Sequence, residues 1–198
     1  MRIGIDFQFA QSESAYRGIG YYGIKFIENV ITELREKDNL VLFIDSSLKI
    51  KYDFKKQLDD VSKKILYAKI PKMYQNEFTS ESLSNHMSIK SALIYSDFVR
   101  DSVDTFINLS TYESINPKFT TYLPSADHEF KDYVVVYDFI RNLFPIMNRN
   151  YAMRKTLIDN SLKEYRKILF ISDAIYDQGI SEVGFENKSR VISCDFLE

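Results

Sequence analysis

Gly18-Ile19-Gly20-Tyr21-Tyr22-Gly23 opens the first long helical pattern of this chain, directly after Arg17. Glycines at such a junction let backbone approach a ligand closely, and a helix N-terminus offers free N–H groups and a partial positive charge. Arg17 adds a mobile cation suited to phosphate or carboxylate. The spacing also spells G-x-G-x-x-G, and Asp45 stands 22 positions beyond Gly23, so two parts of a dinucleotide-binding fingerprint are present. The third part fails. That fingerprint places its first glycine almost immediately after a strand, whereas Gln8 to Arg17, a ten-residue loop, intervene here. Contact with a phosphate- or carboxylate-bearing ligand through Arg17, Gly18 and Gly20 is the favoured reading, ahead of a plain turn into the helix and of nicotinamide or flavin binding.

Other polar residues stand where strand patterns end. Tyr137-Asp138 follows an apolar run, and Ser172, Asp6 and Glu113 do likewise. Asp138 reads equally well as a ligand contact or as a structural residue, a helix cap or a partner for Arg141, and Ser172 is better explained as the N-cap of the helix that follows. His128 and His86 lack the converging ligands that a metal site needs, so no metal is expected. No G-x-S-x-G and no G-x-x-x-x-G-K-[ST] occurs. Cys194 sits in an apolar run and reads as a small core residue. Lys49, Lys51, Lys55 and Lys56 form a basic run, read as a wet face, with attraction to an anionic membrane as the alternative.

These residues need a scaffold, and the pattern supplies one. Seven β-rich runs are expected: Ile3–Phe7, Asn39–Asp45, Lys64–Ile70, Asp104–Leu109, Tyr133–Tyr137, Ile168–Ser172 and Arg190–Ser193. Several are near-continuous apolar stretches, as in strands covered on both faces. Between them, Ile24, Ile27, Ile31 and Leu34 line one face of a helix over Tyr21–Lys37, with Glu33 and Lys37 paired at i, i+4. Further helices are expected at Phe54–Lys63, Glu81–Tyr95, Tyr151–Tyr165 and Ala174–Val183. Pro71–Ser80 and Asn116–Asp132 read as loops. Alternation at this rhythm implies βαβ units and a doubly wound, largely parallel sheet, whose ligand crevice lies at the carboxyl ends of the strands.

The bulk numbers agree with one domain. A chain of 198 residues, 45% hydrophobic and 27% charged, can bury a substantial core. A net charge of −2 argues against nucleic acid as a partner. One cysteine excludes an internal disulfide and fits a reducing, cytoplasmic setting. The opening apolar run is too short for a signal peptide, and no stretch reaches the ~18 apolar residues of a membrane span. Leu197-Glu198 reads as a tag remnant, so residues 1–196 form the domain and the natural chain is expected to continue.

Three segments together carry a resemblance. Arg2-Ile3-Gly4-Ile5-Asp6, a loop, then Gly18-Ile19-Gly20 opening a long helix is similar to the start of retaining glycosyltransferases of family 4. Val135-Val136-Tyr137-Asp138-Phe139-Ile140 with Phe144-Pro145 resembles that family's V-H-D-L-I…F-P segment. Ile168-Leu169-Phe170-Ile171-Ser172-Asp173, with Gly184 twelve residues after Ser172, resembles its I-I-x-V-S-E…G segment. The resemblance implies a Rossmann-like three-layer α/β/α sandwich on a mostly parallel sheet of about seven strands, the N-terminal half of a GT-B fold. It further implies a nucleotide-sugar donor held mainly by a missing C-terminal domain, and a glycan or lipid-linked acceptor bound by this half. No cofactor or metal is implied, and peripheral contact with the inner membrane face would suit a lipid-linked acceptor. Gly18, Ile19 and Gly20 would lie near donor phosphates or acceptor, with Tyr137 and Asp138 in the cleft and Ser172 and Glu113 as acceptor contacts. The family usually carries His at the position of Tyr137. A phenol can hydrogen-bond there but is not a cation near neutral pH, which keeps a non-catalytic sugar- or partner-binding module of the same fold as the alternative.

Overall fold

The computed structural model describes residues 1–51, 58, 65–71, 81–111, 113, 119–125, 129–137, 149–183 and 189–191. Seven strands form one sheet: β1 (Arg2–Asp6), β2 (Asn39–Ile44), β3 (Ile65–Lys69), β4 (Thr105–Asn108), β5 (Lys131–Val136), β6 (Lys167–Phe170) and β7 (Ser189–Val191). Their spatial order is β3-β2-β1-β4-β5-β6-β7, and each pairing is parallel. Strand order therefore reverses between β1 and β4, the switch point of a doubly wound sheet.

Side chains alternate across the pleat. Val41, Phe43, Phe106, Val134, Val136, Ile168 and Phe170 enter one core with Tyr95 and Val99 of α2 (Glu81–Ser102) and Leu162 of α3 (Arg149–Leu162). Ile175, Tyr176 and Ile180 of α4 (Asp173–Val183) pack against the same core. Ile5, Leu40, Leu42 and Val135 enter the other, with Ile24 and Ile27 of α1 (Gly18–Glu33). Helices on both faces give the three-layer Rossmann-like sandwich. Each fully buried Phe, Leu or Ile contributes about 1.5–3 kcal/mol.

Some boundaries differ from the sequence pattern. Gln8 to Arg17 is no plain loop: 3-10 turns form at Gln8–Gln11 and Glu13–Tyr16 before α1 begins. Helix α1 ends at Glu33, with Leu34 extended, so Glu33 and Lys37 share no helical face. Arg35 instead folds back on Asp38, donating from Nε at 3.0 Å. Helix α2 continues seven residues past Tyr95. Strand β5 takes in Lys131 and Asp132, expected as loop, because buried Asp132 finds partners in Tyr122 and the Arg166 N–H, each at 3.0 Å. The expected helix at 54–63 apart from Leu58, most of the loop expected over 71–80, and Cys194, Leu197 and Glu198 lie outside the described residues.

Candidate functional site

The carboxyl end of β1 delivers the chain at Asp6 into the two 3-10 turns, which climb to the N-terminus of α1. This path explains two of the three glycines by packing. A β-carbon on Gly20 would meet the Ala15 carbonyl oxygen at 2.2 Å, and one on Gly23 would meet the Phe9 ring at 2.5 Å. Gly18 differs: nothing stands within 4 Å of the corresponding position, and the residue is exposed. Arg17, also exposed, is the N-cap residue and supplies no side-chain cap. The first helical bond runs from Tyr21 N–H to the Arg17 carbonyl at 3.2 Å, so the amides of Gly18, Ile19 and Gly20 precede the hydrogen-bonded ladder. Asp45 sits in the turn after β2, where its Oδ1 accepts from the Ser47 amide and hydroxyl.

Glu113, in the segment following β4, is buried and meets this region from the side. Ser14 Oγ donates to its Oε1 at 2.5 Å, tying the second 3-10 turn to the end of the neighbouring strand. Tyr137, next after β5, is 8% exposed and packs edge-on against Tyr22 of α1, ring centroids 5.2 Å apart. Its hydroxyl has no hydrogen-bond partner among the described residues. Burial, then the proximity of Tyr22 and Glu113, raises its ionisation well above the ordinary phenol range, so it remains a neutral donor.

Beneath these groups lies a buried polar brace. Asp6 accepts from the Gln8 amide at 2.9 Å, from Gln8 Nε2 at 3.0 Å and from Tyr95 at 3.0 Å. Gln8 in turn clasps the backbone of Thr120, donating to its carbonyl and accepting from its N–H, each at 2.9 Å. Ser110 Oγ accepts from Phe9 N–H at 2.9 Å and donates to the Asp6 carbonyl at 3.3 Å, while Asn108 Oδ1 accepts from Ser110 N–H at 2.9 Å. The ends of β1 and β4 are thereby locked together. Burial raises the Asp6 carboxyl above its usual range, with bonds from Gln8, Ser110 and Tyr95 pulling the other way.

Arg17, Gly18, Ile19 and Gly20 thus share the mouth of α1, while Glu113 meets the preceding 3-10 turn through Ser14 and Tyr137 meets α1 through Tyr22. Ser172 does not join them by any described bond. It caps α4, accepting from Ile175 N–H at 3.3 Å while its carbonyl accepts from Tyr176 N–H at 3.0 Å. Asp138 and His128 lie outside the described residues. Ser14, Gln8 and Tyr22 were not singled out by sequence, since none has a local motif and their partners lie far along the chain. Among the described residues no group of three His, Cys, Asp or Glu could hold a metal ion, and no helix is long and apolar enough to cross a membrane.

No protein-family model matches this sequence, and no curated protein matches it. Among solved structures, the chain is similar to a UDP-glucosyltransferase from Polygonum tinctorium capable of glucosylating indoxyl, in complex with 3,4-dichloroaniline. Identity is 9% and the TM-score 0.52, over 97% of this chain and 51% of that one. It is also similar to UGT89C1 of Arabidopsis thaliana complexed with UDP (10% identity, TM-score 0.48, 96% of this chain and 48% of that one). The same enzyme complexed with quercetin gives 11% identity and a TM-score of 0.49, over 97% and 49%. The chain spans about half the length of the glucosyltransferases it matches. The likeness establishes a glycosyltransferase-like fold and does not single out family 4.

Proposed function

We propose that this chain is the acceptor-side half of a nucleotide-sugar-dependent glycosyltransferase, of the family 4 kind that its motifs resemble. The observation that carries the reading is the fold match: 97% of the chain aligns with 51% of a UDP-glucosyltransferase. In this reading the mouth of α1 faces the cleft between two halves. Amides of Gly18 and Ile19, with the exposed Arg17, meet the negative charge of the donor phosphates as the bond to the leaving nucleotide breaks. Gly20 serves by letting the 3-10 turn pack tightly, which sets the position of that mouth. Asp138 and Tyr137 belong to the same cleft, and Ser172 contributes by holding α4. The other half supplies most of the nucleotide grip, so the chain alone transfers negligibly. No metal or other cofactor takes part, and the setting is cytoplasmic, at or near the membrane face where polysaccharide precursors are assembled.

The test is a natural polypeptide extending beyond residue 196, assayed for hydrolysis and transfer with UDP-, GDP- and ADP-sugars. Turnover of one donor class, lost in Arg17→Ala, supports the reading. A natural chain ending here, or one that turns over no donor, overturns it. A second reading, a non-catalytic sugar-binding module, draws on Tyr137 standing where the resembled family has His; donor binding without turnover would favour it. A dinucleotide enzyme is disfavoured because the close approach that Gly20 permits is to the chain's own backbone. Micromolar binding of NAD or FAD by the chain would reverse that ranking.

A further inference from the structure

We infer that the amino end of the sheet is a contact face for a second copy of this chain, joined across a two-fold axis by an apolar groove and reciprocal Glu33–Lys37 pairs. The inference does not depend on the function proposed above. The groove, about 420 Å³, opens at the start of β1, between α1 and the turn that follows it. Asp6 and the mouth of α1 lie at the other end of these elements, so a copy seated here leaves the crevice open.

The walls are Met1, Ile3, Phe26, Val30 and Leu34. The last four are half-buried and pack inward on the core beneath α1, while their outer faces stay wet. Met1 is 45% exposed, yet its backbone is anchored: the ammonium donates to Asp38 at 2.7 Å, and the carbonyl accepts from Asn39 N–H at 3.0 Å. A flexible thioether on a fixed backbone suits an irregular apolar hollow. Each copy thus presents both a knob and a hole, as an isologous contact requires.

The turn after α1 supplies the charges. Glu33, Arg35, Glu36 and Lys37 alternate in sign along five residues, and all are exposed. Arg35 is already neutralised by Asp38 at 3.0 Å. Glu33, Glu36 and Lys37 enter no ion pair among the described residues. Glu33 lines the groove, whereas Lys37 lines a second hollow of about 430 Å³, and Arg35 borders both. Acid and base therefore flank one ridge. A two-fold axis at that ridge sets Glu33 of each copy against the partner's Lys37. A nucleic acid or anionic membrane would instead meet Glu33 and Glu36 with like charge, and a cationic peptide would meet Lys37 so. The mixed pattern is its own complement.

The test follows the mass of the 198-residue chain by sedimentation from about 10 µM to 1 mM, the range of a small, reversible interface. A concentration-dependent dimer is expected, with the Met1 methyl resonance shifting as it forms. Glu33→Lys and Lys37→Glu should each weaken association about tenfold, because every contact occurs twice and turns from attraction to repulsion. An equimolar mixture of the two variants should associate again, since one presents two basic side chains and the other two acidic ones. Both positions are exposed, and unchanged melting temperatures show that the variants fold. A chain that stays monomeric to 1 mM, a dimer that leaves the Met1 methyl unmoved, or a mixture no tighter than either variant alone overturns the inference. So does a longer natural polypeptide that stays monomeric while this chain pairs, because its further segment would then cover the groove.

Discussion

Gly20 and Ala15 approach so closely that a β-carbon on the first would come within 2.2 Å of the carbonyl oxygen of the second. The contact is backbone against backbone, so no side-chain rotation can relieve it. It sets how the second 3-10 turn lies under α1, and hence where Ser14 stands relative to Glu113.

Gly20→Ala is therefore expected to destabilise the fold by about 2–3 kcal/mol, despite the better helix propensity of alanine. Gly18→Ala, with open space around it, should be neutral or stabilising by up to about 1 kcal/mol. Urea denaturation of the two variants checks this; equal midpoints would show that the turn adapts freely.

Gln8 holds three buried groups at once: the Asp6 carboxylate and both backbone groups of Thr120. Gln8→Leu keeps the bulk, takes this partner from both backbone groups of Thr120 and leaves Asp6 with its bonds from the residue-8 amide and Tyr95, for an expected loss of about 2–4 kcal/mol. Faster amide exchange at Thr120 should accompany the loss, because its N–H would no longer have an acceptor.

Two aspartates should respond to acid in opposite directions. The Met1 ammonium, and then Arg35, hold Asp38 down to about 2 from an ordinary 3.8. The stability it contributes is present above pH 3.8 and is lost as pH falls toward 2. Asp6 is raised by burial, so its folded form binds a proton more readily than the unfolded chain. Its contribution favours folding at low pH and is lost as pH rises through its raised value. Thermal unfolding across acid pH checks the pair: Asp38→Asn should lose part of the wild-type acid sensitivity, and Asp6→Asn should become more acid-sensitive.

Ser172 supplies a control. As a cap with a 3.3 Å bond, its replacement by alanine should cost about 0.5–1 kcal/mol and leave sugar binding untouched. A variant that keeps its stability and loses binding would move Ser172 into the site.

Much of the scaffold was legible along the chain. All seven strands were expected within a residue or two of where they lie, because apolar runs such as Leu40–Phe43 and Val134–Val136 announce strands buried on both faces. Helix ends were less legible. Glu33 closes α1 where Asp38 draws Arg35 back, and β5 begins at Lys131 because buried Asp132 accepts from Tyr122 and the Arg166 N–H. Neither cause leaves a local trace.

The site divides in the same way. Residue types and the strand-helix rhythm by themselves placed Gly18, Glu113 and Tyr137 after strands or at a helix mouth, since hydrophobic periodicity is written in neighbouring positions. Only tertiary structure assigned Gly20 to packing, joined Ser14 to Glu113 across 99 positions, and left the Tyr137 hydroxyl without a hydrogen-bond partner among the described residues. Those outcomes depend on which strand ends become neighbours when the sheet closes around β1 and β4, and that choice is made by the whole core at once.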